Sequence, residues 1–265
     1  MKVFISADIE GIATTTAGGD CSCASPTYVY HCEQMTNEVI AACEGAIKAG
    51  ATEIVVRDAH GPATNIDIKR LPRCAKPIRE WSGHPYSMVE GIDGSFDACL
   101  FVGYHNAASR NGNPLSHTFS GKPFWIKING QITSEFLMYS YAAANEGVPT
   151  VFLAGDKQLC EDYADLHPQL VTVAVKEGCG ARTMSVHPEL ACDMIREGAE
   201  KALRQNLKTA LAEMPKKFNV EICYRSHVHA TQFSYYPGVK QISDTNITFS
   251  AKDYFEVMRF FKFVL

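Results

Sequence analysis

Three apolar runs of this chain end in the same way, with carboxylate or imidazole side chains directly after the last strand-forming residues. Residues 3–7 lead into Asp8 and Glu10, residues 54–56 lead into Asp58 and His60, and residues 99–102 lead into His105. Continuously apolar runs of this length are typical of strands buried on both faces of a parallel sheet. The carboxyl ends of such strands meet at one edge, where α/β proteins bind ligands. The sequence therefore predicts a site at this edge.

Along the rest of the chain, segments whose apolar residues have the spacing of a strand alternate with segments whose apolar residues have the spacing of a helix. Further strands are predicted at 53–57, 77–81, 98–102, 150–153 and 170–175, and helices at 33–49, 134–145, 157–165 and 188–205. Such alternation indicates an α/β fold, a mostly parallel sheet with helices on both faces and an active site at the carboxyl ends of the strands.

The predicted elements also include a hairpin and, near the C-terminus, two late strands followed by a final helix. Residues 124–128 alternate in polarity and meet Asn129-Gly130, a hairpin turn signal. Late strands are expected at 220–224 and 247–249, and a final helix from Ser250, with Asp253 as part of a capping box. We expect a single α/β domain over residues 1–265, with a smaller subdomain from about residue 215 as the alternative.

Composition narrows the classes of function. The chain has 265 residues, 46% of them hydrophobic, which suffices for a sizeable core. A net charge of -4 without a basic patch argues against a nucleic-acid partner. No secretory leader and no apolar run of roughly 18 residues is visible, so we expect a cytoplasmic protein without a membrane span. The ten cysteines are then expected to be reduced thiols, with Cys43, Cys99 and Cys223 in the core.

The acidic pair at the end of the first strand is the first candidate for metal binding. Asp8 and Glu10 are two residues apart, so their carboxylates point to one side and repel each other unless a cation lies between them. Taken alone, they fit solvated acids or a helix N-cap equally well. His60 and His105 at the same edge favour a metal site, because mixed imidazole and carboxylate ligands suit zinc, with manganese or cobalt also compatible.

Three further residues each allow two interpretations. Glu135 lies where a helix begins, where the helix dipole alone would favour an acid. Asp58 is placed where a metal ligand would lie, but an acceptor of a hydrogen bond from a ligand histidine would give the same pattern, so we leave it out of the ligand set. His117 follows a polar loop, and it is either a surface histidine or a general acid or base beside the metal.

Several motifs, taken together, resemble those of the bacterial zinc-dependent D-aminopeptidases. They are Ser6-Ala7-Asp8-Ile9-Glu10-Gly11-Ile12, Asp58-Ala59-His60, Ser87-Met88-Val89-Glu90-Gly91, Gly103-Tyr104-His105, Ser116-His117, Glu135 and Ala154-Gly155-Asp156, with looser similarity around residues 174–176 and 250–253. The resemblance implies two zinc ions per subunit held by Asp8, Glu10, His60, His105 and Glu135, with Asp8 bridging them and His117 as the catalytic histidine. It also implies release of N-terminal D-residues from short peptides, and a large ring-shaped homo-oligomer, a decamer being one such form.

Three other motifs have alternatives that the sequence leaves open. Cys21, Cys23, His31 and Cys32 fit no common zinc spacing, so free thiols are favoured over a second metal site, and the loop is expected near the substrate entrance. His227 and His229 are more typical of surface or interface residues. Residues 178–182 lack the spacing of a phosphate loop or a cysteine phosphatase.

These observations predict a metal-dependent aminopeptidase for short peptides, with N-terminal D-residues and a metal-activated water as attacker. One rival is another dinuclear metal hydrolase acting on a non-peptide amide or a phosphoester. The other is a non-catalytic metal-binding assembly protein, for which a spare histidine such as His117 has no evident use.

Overall fold

The structure, a computed structural model, describes residues 1–166 and 168–265. Its strands are β1 Lys2–Ala7, β2 Glu53–Asp58, β3 Ala75–Ile78, β4 Ala98–Tyr104, β5 Pro123–Ile128, β6 Gln131–Ile132, β7 Thr150–Asp156, β8 Val171–Cys179, β9 Arg182–Ser185, β10 Phe218–Tyr224, β11 Lys240–Gln241 and β12 Asn246–Ala251. Its α-helices are α1 Tyr28–Lys48, α2 Glu135–Asn145, α3 Lys157–Tyr163, α4 Pro188–Leu203, α5 His227–Phe233 and α6 Tyr254–Val264.

The central sheet has seven strands in the order β3-β2-β1-β4-β7-β8-β9. All neighbouring strands in it are parallel except β8 and β9, which pair antiparallel as a hairpin. The predicted α/β fold with a mostly parallel sheet is therefore confirmed. The three strands that lead into the candidate ligands, β2, β1 and β4, are immediate neighbours.

Alternate residues of each central strand enter different cores, as the period of a β-strand requires. In β1, Phe4 joins the core that also contains Phe136 of α2, whereas Val3 and Ile5 join the core that contains Val39 of α1. Helices α1 and α4 thus cover one face, and α2 and α3 cover the other. Both faces are buried, which explains why these strands are apolar at every position.

A second sheet, of five strands, packs beyond α2 in the order β11-β12-β10-β5-β6, and its strand pairs are antiparallel. The predicted hairpin and the late strands belong to this sheet. Because β5 and β6 come from the middle of the chain, the sheet joins segments on either side of residue 215. A subdomain boundary there remains a prediction.

Several predicted bounds were wrong. Helix α1 begins at Tyr28, whereas residue 33 was predicted. The prediction missed the first turn because exposed apolar side chains there, such as Val29 and Tyr30, interrupt the helical spacing of buried residues. Ser250 does not begin the last helix. It pairs with Asn219 as part of β12, and the Asp253 side chain caps α6 by accepting from the Phe255 N–H at 2.9 Å. Cys223 is only partly buried.

Helix α6 packs mainly inside the subunit. Phe260 and Phe261 are both fully buried, whereas Phe263 is exposed. Core packing therefore explains most of its apolar surface. No helix in the described parts of the chain is long and apolar enough to cross a bilayer.

Candidate metal centre

The site forms where β2, β1 and β4 end side by side. The backbone of Asp8 follows β1 closely against β4, and its N–H donates to the Val102 carbonyl at 2.9 Å. At Gly103 the chain turns with φ of +72°, and a Cβ atom there would lie 2.2 Å from the Asp8 carbonyl oxygen. Only glycine accommodates both the positive φ and this approach. The turn directs His105 toward the end of β1.

The two carboxylate oxygens of Asp8 face different histidines. Its Oδ1 lies 3.3 Å from His60 Nδ1, and its Oδ2 lies 3.5 Å from His105 Nε2. Glu10 lies on the His60 side, with Oε2 at 3.0 Å from Nδ1. The predicted carboxylate pair therefore points into one buried cluster rather than into solvent.

Glu135 completes the other side of this cluster. It is the first residue of α2, and its Oε2 lies 3.3 Å from His105 Nε2. Its second oxygen accepts from the Phe119 N–H at 2.5 Å and lies 3.6 Å from His117 Nε2. Since Glu135 is only 3% exposed, stabilisation of a surface helix end does not account for its position. The structure thus brings together all six predicted residues.

Each of the three histidines has one ring nitrogen bound to a backbone carbonyl. His60 Nε2 donates to Cys21 at 2.8 Å, His105 Nδ1 to Asn106 at 2.9 Å, and His117 Nδ1 to Leu115 at 2.9 Å. A carbonyl can only accept, so this nitrogen carries the hydrogen. The opposite nitrogen of each neutral ring is then free to bind a metal or a proton, as is usual for ligand histidines.

The donor set fits a divalent cation. Ligand atoms about 2.0 to 2.2 Å from a tetrahedral zinc lie about 3.4 Å from one another, which matches the contacts of 3.0–3.6 Å in the cluster. Glu10 Oε2 and His105 Nε2 are buried and lack a hydrogen bond of good geometry. Two overlapping groups of donors lie within 4.8 Å of one another, Asp8–Glu10–His105 and His105–His117–Glu135. Buried atoms of this kind call for a partner.

The charges of the cluster are strongly coupled. Burial and the neighbouring Glu10 carboxylate raise the pKa of Asp8 to about 8. Burial acts to lower the pKa of His60, but its contacts with Asp8 and Glu10 raise it to about 11. The same holds for His105. Burial acts to lower its pKa, but the neighbouring Glu135 carboxylate raises it to about 10. The carboxylates thus attract positive charge, which a divalent cation provides.

Asp58 is held by the backbone and side chain of the loop that follows His60, which is neither of the two roles considered from the sequence. Its carboxylate accepts from the Asn65 N–H at 2.6 Å, the Ile66 N–H at 2.9 Å and the Asn65 side chain at 2.7 Å. The same amide of Asn65 donates to the His60 carbonyl at 2.7 Å. Asp58 therefore folds the loop that carries His60 and makes no hydrogen bond to a ligand imidazole.

Two buried residues support the site without having been assigned a role from sequence. Lys176, in β8, donates from Nζ to the carbonyl oxygens of Glu10 and Thr15, the latter at 2.7 Å. Asp156, at the end of β7, accepts from the Asn106 N–H at 2.7 Å beside His105. Asp156 carried the same signal in the sequence as Asp8, a charged residue at the end of a buried strand, whereas Lys176 lies inside β8 and its signal was a charged residue after a predicted apolar run.

The loop that carries Cys21, Cys23, His31 and Cys32 lies next to the site. Among the described residues, its thiols and imidazole do not form a group that could hold a metal ion. Its Cys21 carbonyl holds His60, and Asp20 pairs with His31 at 3.2 Å. All ten cysteines are free, as predicted. His227, at the first turn of α5, is exposed.

The cluster forms the wall of a cavity of about 370 Å³. Its remaining lining is largely uncharged and includes Trp81, Met88, Phe119 and Tyr139, with Lys262 from α6. A polar centre beside apolar walls is typical of a small-molecule or peptide site.

Comparison with known proteins gives the class. Residues 1–263 match the D-aminopeptidase family model. The chain belongs to the D-aminopeptidase family, and it is therefore an enzyme of the hydrolase class, as the resemblance implied.

The D-aminopeptidase of Bacillus subtilis is similar to this chain over nearly its whole length, in sequence and in structure. A D-aminopeptidase of strain 168 is 29% identical over 262 residues, which cover 97% of this chain and 93% of that protein. The solved structure of the Zn-dependent D-aminopeptidase DppA, described as a self-compartmentalizing protease, aligns with a TM-score of 0.93 and 27% identity. The alignment covers 100% of this chain and 96% of that one.

Proposed function

We propose that this protein is a zinc-dependent aminopeptidase with a dinuclear site that removes N-terminal D-residues from short peptides. The observation that carries the dinuclear site is the orientation of Asp8, whose two oxygens face His60 and His105 separately. A carboxylate that bridges two cations presents its oxygens in this way. Glu10 with His60 and Glu135 with His105 would complete the two ligand sets.

When bound, the metal ions supply a Lewis acid that polarises the peptide carbonyl and lowers the pKa of the attacking water. The protein supplies the rest of the chemistry. His117 presents Nε2 to the cavity, because Nδ1 is held by the Leu115 carbonyl. From this position Nε2 accepts a proton from the attacking water and returns it to the amine that leaves. The ring is stacked on His105, with centroids 4.3 Å apart, which fixes its plane.

The substrate follows from the charge and size of the cavity. Three carboxylates line one wall, and a carboxylate oxygen left outside the metal coordination would accept a hydrogen bond from a free α-ammonium group. A volume of about 370 Å³ suits a short peptide better than a folded chain. The preference for a D-residue is supported by the family and by the name of the Bacillus subtilis relative, a D-aminopeptidase.

The assembly and the compartment are also proposals. The solved relative is described as self-compartmentalizing, and exposed Phe263 and Tyr235 in the C-terminal part are suited to an intersubunit contact. We therefore propose a closed homo-oligomer, with the decameric ring as its predicted form. Ten free thiols support a reducing compartment such as the cytoplasm.

The test combines metal analysis with a substrate panel. D-Ala-Gly and L-Ala-Gly differ only at the first residue, because glycine is achiral, and N-acetyl-D-Ala-Gly lacks the free amine. We expect chelation to abolish cleavage of D-Ala-Gly, zinc to restore it, and both comparison peptides to be poor substrates. Cleavage of a phosphoester or a non-peptide amide, without cleavage of D-Ala-Gly, would favour the alternative function, a dinuclear metal hydrolase that does not act on peptides. Full activity of metal-free protein would overturn the proposal.

A further inference from the structure

Lys262 is the one lysine or arginine among the described residues that line the cavity. It lies in the last turn of α6, on an element far along the chain from the metal ligands. The other charged lining residues are Asp8, Glu10 and Glu135, together with the imidazoles of His60 and His117. The cavity therefore has an acidic cluster in one part of its wall and a primary amine in another.

The backbone beside Lys262 is fixed at the cavity rim. The Tyr224 hydroxyl donates to the Val264 carbonyl at 3.1 Å, and the Ser120 hydroxyl donates to the Leu265 carbonyl at 3.1 Å. Ser120 follows Phe119, which lines the same cavity. The end of α6 is thus held against the loop that extends from His117, and the position of the Lys262 stem is determined.

Among the described residues, the ammonium group of Lys262 has no hydrogen-bond or ion-pair partner. The neighbouring acid of the helix, Glu256, pairs with Arg259. Its side chain is half-buried, so solvent screens it less than a fully exposed lysine. An unpaired cation in a substrate cavity is available to an anionic group of the substrate.

We infer that Lys262 binds the C-terminal carboxylate of a short peptide substrate. The inference rests on the proposed aminopeptidase function, because it assumes that the N-terminal end of the peptide lies at the acidic cluster. A zwitterionic dipeptide then matches the charges of the cavity at both ends, with the ammonium near Glu10 and the carboxylate near Lys262. The preferred substrates are dipeptides and other very short peptides with a free carboxylate.

The test compares D-Ala-Gly with D-Ala-Gly-amide, which has the same scissile bond and no terminal charge. For the wild-type protein we expect a higher kcat/KM on the free acid. Lys262→Met should reduce kcat/KM on the acid by roughly tenfold or more, mainly through KM, and on the amide by less than about twofold. Lys262→Arg should retain most of the preference, since a guanidinium also binds carboxylates.

Two further measurements separate recognition from structural damage. Lys252→Met removes an exposed lysine outside the cavity and should leave both substrates unaffected. Inhibition by the reduced-bond analogue of D-Ala-Gly, with and without its carboxylate, should show the same dependence on Lys262 without turnover.

The outcomes distinguish the two proposals. Equal losses on acid and amide in Lys262→Met, or a wild-type enzyme indifferent to the carboxylate, would overturn the inference and leave the aminopeptidase function standing. A protein that cleaves neither D-Ala-Gly nor its amide would overturn both.

Discussion

Replacing His117 by alanine should leave the metal content intact and remove most of the turnover. The other five residues of the cluster supply donors to both halves, with Asp8 shared between His60 and His105. The free nitrogen of His117, Nε2, lies 3.6 Å from the Glu135 oxygen that already accepts from the Phe119 N–H, and the His117 side chain is 32% exposed. Its removal therefore leaves each proposed ligand set complete.

The expected loss follows from the role of a positioned acid or base. Such groups contribute about a hundredfold to ten-thousandfold in rate, so the barrier should rise by at least about 2.7 kcal/mol. The assay is kcat on D-Ala-Gly with zinc present, together with the metal-to-protein ratio of the dialysed variant. Exposed His227 offers a matched control, and His227→Ala should behave like the wild type.

Loss of metal in parallel with activity would refute this reasoning. It would make His117 a ligand, which its distance to the other donors permits, because His105, His117 and Glu135 form a group within 4.8 Å. Retention of both metal and near-normal kcat would instead exclude any role in proton transfer.

Three other changes test the site and its support. Asp8→Asn should lower the metal-to-protein ratio more than Glu10→Gln, because it affects both halves of the site, and an unchanged ratio would exclude bridging. Gly103→Ala should reduce both stability and metal retention, since its Cβ would lie 2.2 Å from the Asp8 oxygen, whereas Gly121→Ala, with nothing within 4 Å, should be neutral in thermal melts. Burial raises the pKa of Glu38 from 4.5 to about 7, so the native state binds its proton more tightly, and this contribution to stability is full below 4.5 and lost as pH rises through 7. Glu38→Gln should therefore raise Tm more at pH 8 than at pH 5. The gain in unfolding free energy at pH 8 should exceed the gain at pH 5 by at most about 3.4 kcal/mol, and equal gains at the two pH values would contradict the assignment.

The sequence predicted the structure well wherever the burial of a single strand leaves a local pattern of apolar residues. Continuous apolar runs identified β1, β2 and β4 because both faces of a parallel sheet are buried. The charged residues after those runs then had to lie at one edge, which is why Asp8, His60 and His105 were predicted together. Prediction was weaker at Glu135, since a helix N-terminus favours an acid for its own reasons.

The roles of other residues depended on contacts across the chain. Asp58 had the right position for a partner of a ligand histidine, but the Asn65 loop folds back onto it. Ser250 resembled a helix cap, yet its backbone pairs in a strand and Asp253 caps the helix. Local propensity is a weak guide where sheet pairing competes with it.

The sequence by itself thus determined most of the longer strands and helices, the edge where a site was expected and the residue types of the candidate ligands, because these follow from burial and from residue type. The tertiary structure decided which nitrogen of each histidine faces the centre, that Asp8 faces two histidines at once, and that Lys176 and Lys262 lie near the site. These features arise between residues far apart in the chain, 166 positions in the case of Lys176 and Glu10. No local pattern specifies such distances, because they are fixed only when the sheets and helices pack together.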